Sequence, residues 1–161
     1  MTQNWRHLPA PARPIAAAAV AAVAAARNRN GDALAEAAGD LAALDAGQVG
    51  LILGTTVRVV LEEMHPDGLD GDDVRNILEH CVRTAVDWQA DIDPHVVFLL
   101  LAGALGVQDE SAEPPPKPEV LARHAAVLMA DLLGESAAGD ERMAEYLTKG
   151  LLEIERAQLN D

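Results

Sequence analysis

Residues 96–107, VVFLLLAGALGV, carry no charge, and apolar or small side chains cover every side of any helix they form. Asp93 before Pro94 offers an N-cap followed by proline at the first helical position, and Gly106 offers a stop. The run is too short for a bilayer, which takes roughly 20 residues to cross. A helix that is apolar all round has to be covered by other protein. The expectation is an all-α fold: a bundle of six or seven helices around a central buried helix at about 94–106. Leu99, Leu100, Leu101 and Leu105 are expected to be nearly fully buried. No strand-length alternating run is bounded by turn signals, so no sheet is predicted.

Other segments supply the helices around it. Pro9, Pro11 and Pro14 make residues 1–13 an extended arm, and an Ala-rich helix follows to about Arg27. Asn30-Gly31 interrupts it, and Asp32 is the expected cap of a second helix with Leu34, Ala37, Ala38 and Leu41 on one face. Val49, Ile52, Leu53, Thr56, Val57, Val60 and Met64 keep the helical period over four turns, and His65-Pro66-Asp67-Gly68 ends that helix. Asp70 and Asp73 resemble a capping box opening a fourth helix. Its core stripe runs from Val74 through Cys81 to Trp88, with Arg75, Glu79 and Arg83 outside.

Residues 14–106 thus read as a helical core. A Pro-rich linker, 107–118, then leads to a C-terminal helical hairpin, 119–161. Two helices cannot build a core alone, so the hairpin must dock on the core or on a second subunit.

Charge narrows the functional classes. The chain of 161 residues carries a net charge of -14. Twelve basic against 26 acidic side chains argue against nucleic-acid binding, which needs clustered Lys and Arg. Arg6, Arg13, Arg27 and Arg29 lie in the first 31 residues, which hold no acid, so a basic segment precedes an acidic body. Cys81 is the only cysteine, which excludes an internal disulfide and fits a cytoplasmic protein. No segment reads as a membrane span. Half the residues are hydrophobic but only 2% are aromatic, so the core must be tight and built from small side chains.

No motif points to catalysis or to a cofactor. The acidic turn at Asp67, Asp70, Asp72 and Asp73 puts Leu69 and Gly71 where an EF-hand needs oxygen ligands, so capping explains it better than calcium. Glu62 and His65 have the spacing of a di-metal bundle pair, but no second pair exists and Glu62 lies off the apolar stripe. His80 and Cys81 are neighbours that point about 100° apart on a helix, and Cys81 reads as an inert buried thiol. His124 is a lone histidine.

Two surfaces read as helix contacts or interfaces. Gly50 and Gly54 form a smooth groove for another backbone, that of the Ala-rich first helix before the same surface of a second subunit, at a cost of up to ~1 kcal/mol each relative to Ala. Met143, Leu147, Leu151 and Ile154 form a stripe on the last helix. The functional expectation is a non-enzymatic protein-interaction or regulatory module working as a homodimer. The alternative is a helical small-molecule binding module or enzyme with a pocket near Asp91 and His95.

Overall fold

The computed structural model describes residues 12–88, 90–107, 115–134 and 138–159. The regular structure of the described residues is all helical, in seven helices with no strand: α1 (Ala12–Arg27), α2 (Gly31–Ala42), α3 (Ala46–Met64), α4 (Gly71–Asp87), α5 (Pro94–Ala104), α6 (Pro118–Leu133) and α7 (Gly139–Leu159). Most of the proposed arm, 1–13, and of the linker, 107–118, lies outside the described residues; Ala12 and Arg13 are already helical.

The caps follow from short polar side chains at the helix starts. Asp45 accepts from Gln48 N, and Asp93 accepts from His95 N. Asp70 and Asp73 bond each other's backbone N–H reciprocally, which is a complete capping box. Asn30, not Asp32, caps α2, because its side chain accepts from Ala33 N. Asn30 also closes α1: its N–H bonds Ala25 O while Arg29 N–H bonds Ala26 O. This pattern needs a left-handed residue between the helices, and Arg29 adopts it with φ 55°. The same pattern ends α5, where Gly106 at φ 81° and Val107 bond Gly103 O and Ala102 O.

The centre of the bundle is α6, which packs against all six other helices. Ala122, Ala125, Val127, Leu128 and Met129 are buried around its circumference. The helix at 94–106 is therefore not the central one. Leu101 is fully buried, but Leu99 and Leu100 are half-buried, and Phe98 and Leu105 are 45% and 41% exposed. The physical reason is position. This short helix leans on α3, α4 and α6, and no other described helix packs closely on its other side.

Alanine makes the rest compact. Ala16, Ala19, Ala22 and Ala26 bring α1 close to α2, α6 and α7. The α2 face Leu34, Ala37, Ala38 and Leu41 is buried as its spacing requires. The last two helices do not pair as a hairpin. They touch only sparingly, α7 lying along α3 and crossing α1 while α6 fills the centre. At the α3–α7 contact a Cβ on Gly150 would sit 2.9 Å from Thr56 Oγ1, so glycine sets that approach.

Candidate functional site

The first candidate surface is the groove predicted from Gly50 and Gly54. It is an open depression of about 470 Å³ between α3 and the end of α5. Gly50, Leu51, Gly54 and Arg58 line one wall, and Gly103, Leu105 and Gly106 the other. A Cβ on either Gly50 or Gly54 would meet nothing within 4 Å. No backbone of the described residues approaches them. Leu51 is 44% exposed beside them. Phe98 and Leu105 lie seven residues apart and so share the outer face of α5, and Leu105 also lines the groove. Burial lowers the pKa of Arg58, but Glu62 and Glu153 outweigh it and hold the guanidinium charged.

The α7 stripe has a different fate. Met143 and Leu147 are fully buried against the chain's own core, and Leu151 and Ile154 are half-buried against it. Lys149 bonds Glu63, and Glu153 bonds Arg58, which fastens α7 to α3.

The second candidate surface is a cleft around Trp88. A hollow of about 310 Å³ lies between α4, α6 and the end of α1. A smaller one of about 190 Å³ reaches α2 and the α4–α5 loop, and Arg29, Trp88 and Val127 line both. The pocket expected near Asp91 and His95 corresponds to the smaller hollow. Asp91 and Ile92 line it, but His95 does not.

The larger hollow contains a histidine–aspartate pair that the sequence did not reveal. His80 Nδ1 lies 2.8 and 2.9 Å from the two oxygens of Asp131. Nδ1–H therefore donates to a carboxylate whose side chain is only 7% exposed, leaving Nε2 outward. Cys81 beside them is fully buried, and burial together with the Asp131 charge pushes its thiol up to about 12. It is an inert thiol at neutral pH. Arg27 bonds Asp140 at 2.7 Å and closes one end of the cleft against the start of α7.

His124 forms a further polar contact near this region. Its Nδ1–H donates to Val120 O and its Nε2 accepts from Asp93 N, so the ring is neutral and its tautomer is fixed. Burial lowers its pKa, opposed in part by the Val120 bond. Among the described residues no group of three His, Cys, Asp or Glu side chains is placed to hold a metal. No described helix is long and apolar enough to cross a membrane. No protein-family model matches the chain, and no characterised protein or solved structure matches it.

Proposed function

We propose that this protein is a non-enzymatic interaction module that works as a homodimer, with the outer face of α5 and the adjoining α3 groove as its interface. One observation carries the reading: an uncharged, predominantly apolar helix has one side that the described residues leave exposed at Phe98 and Leu105. Burying such side chains is worth about 25 cal/mol per Å² of apolar area, so an uncovered face of this kind favours association.

Two further features support a second copy as the occupant. Each chain carries -14, so two copies repel except where they meet through a neutral strip, and 96–107 is neutral. Gly50 and Gly54 each weaken α3, yet no atom of the described residues uses the space their missing side chains leave. A partner backbone in the groove would use that space, and a two-fold axis would use the patch twice. The lone, buried Cys81 fits a cytoplasmic setting for this module.

Gly50→Ala tests the reading by light scattering after gel filtration together with thermal melting of the dilute protein. The expected result is a monomer stabilised by ~0.5–1 kcal/mol from helix propensity and a dimer that dissociates at higher concentration than the wild type. A dimer as tight as the wild type, or a wild type that never dimerises, contradicts it.

A further inference from the structure

α4 is the least buried of the seven helices. Only Cys81 and Ala85 of its 17 residues are buried, against nine of 16 in α6. Val74, Ile77, Leu78 and Trp88 are half-buried against the core. Its close packing is with α5 and α6 alone, and the hollow of about 310 Å³ opens beside its C-terminal half. Apolar burial is what holds a helix to its neighbours, so a thinly buried one is the first to leave.

α4 also carries local support for its own helical state. The Asp70–Asp73 capping box closes its start, and Arg75, Glu79 and Arg83 follow at i, i+4 spacing on its exposed side. Gly68, at φ 92° in the preceding turn, gives the chain a pivot.

The tie to α6 is His80, whose Nδ1 reaches both oxygens of Asp131 at 2.8 and 2.9 Å. The imidazole is 64% exposed, whereas the carboxylate beneath it is 7% exposed. A carboxylate that loses such a partner needs water in its place, and water reaches Asp131 freely only when α4 lifts. The pair thus sets two alternatives: a docked helix with Asp131 bonded to His80, or a lifted helix with Asp131 hydrated.

We propose that α4 is a latched helix: it lifts off α5 and α6 while the rest of the bundle stays folded, and the His80–Asp131 bond is the latch. Lifting uncovers the stripe from Val74 to Trp88 and opens the Trp88 cleft. The device is separate from the dimer, whose interface lies on α3 and the outer face of α5.

Cys81, on the underside of α4, reports the opening. The experiment labels the full chain with an aromatic disulfide in a series of urea concentrations below the unfolding transition. Each rate is normalised to that of the same variant unfolded in urea. A second thiol, Val23→Cys in a Cys81→Ala background, reports global unfolding from α1, where Val23 is 2% exposed. Labelling of Cys81 should depend little on urea, because a local opening exposes little surface, while Val23→Cys should follow the slope of global unfolding. His80→Ala and Asp131→Ala should each speed Cys81 labelling about tenfold without steepening its urea dependence. The double variant should open no further than the more open single one, since both changes remove one bond. Labelling of Cys81 with the global urea slope overturns the proposal. So do unchanged rates in both single variants, or two effects that simply multiply.

Discussion

The backbone N–H of Asp93 donates to Nε2 of His124 across 2.9 Å, tying the start of α5 to the middle of α6. The bond exists only while the ring is neutral, since a protonated Nε2 would present a hydrogen to another donor. His124 is 1% exposed, and burial lowers its pKa below the usual 6.5. The unfolded chain therefore takes up a proton before the folded one does, and this histidine's contribution to stability falls as pH drops below 6.5. His124→Leu should cost ~1–3 kcal/mol at pH 8, mainly through the orphaned Asp93 N–H. That difference should shrink at pH 5, as the wild type weakens and the variant does not. Urea unfolding of both proteins at the two pH values measures it, and a constant difference would show that His124 does not titrate with folding.

Gly150 and Thr56 should be coupled. Thr56 Oγ1 is pinned by a 2.7 Å bond to Ile52 O and cannot turn away from a new methyl group. Gly150→Ala should gain about 1 kcal/mol of helix propensity and lose more to crowding, a net destabilisation of ~1 kcal/mol. In a Thr56→Ala background the same change should become neutral or stabilising. A double-mutant cycle by chemical unfolding gives the coupling, and additivity would mean that the two helices do not meet at these residues.

The two ends of one leucine run should behave differently. Leu101→Ala removes a fully buried side chain and should cost ~2–5 kcal/mol. Leu105→Ala removes one that is 41% exposed within its own chain, so at concentrations where the protein is monomeric it should cost less than ~1.5 kcal/mol. Equal large losses in dilute solution would return 94–106 to the centre of the bundle.

Cys81 should resist thiol reagents. It is fully buried with a thiol raised to about 12, so at pH 8 the native protein should react with an aromatic disulfide only as fast as it opens. Full reaction at once in denaturant and slow reaction without it is the expected pair of traces. Immediate reaction of the native protein would place the thiol at the surface.

Helical period, caps and breakers were legible wherever the signal is local. The α2 and α3 faces and the Asp70–Asp73 box follow from neighbours within four residues. The arrangement of the helices was not local. All-round apolarity of 96–107 says that the helix must be covered, but not that its own chain does the covering. The true centre, α6, is disguised by Arg123, His124 and Asp131. Their partners Asp93 and His80 lie 31 and 51 residues away in sequence from His124 and Asp131. Gly150 sends the same helix-interior signal as Gly50 and Gly54. Among these three, only Gly150 is used against the chain's own backbone. Arg29 gives no sequence sign of its left-handed turn, since Gly31 nearby is the residue that reads as the break.

The central claim is that the outer face of α5 is covered by a second copy, and sedimentation of the wild type beside Phe98→Glu tests it most directly. Phe98 is 45% exposed, so the substitution adds a charge to the face without emptying the core. The account predicts a dimer for the intact chain at ~100 μM and a folded monomer with unchanged helix content for the variant. A wild type that sediments as a monomer at that concentration, or a variant that remains dimeric, would contradict it.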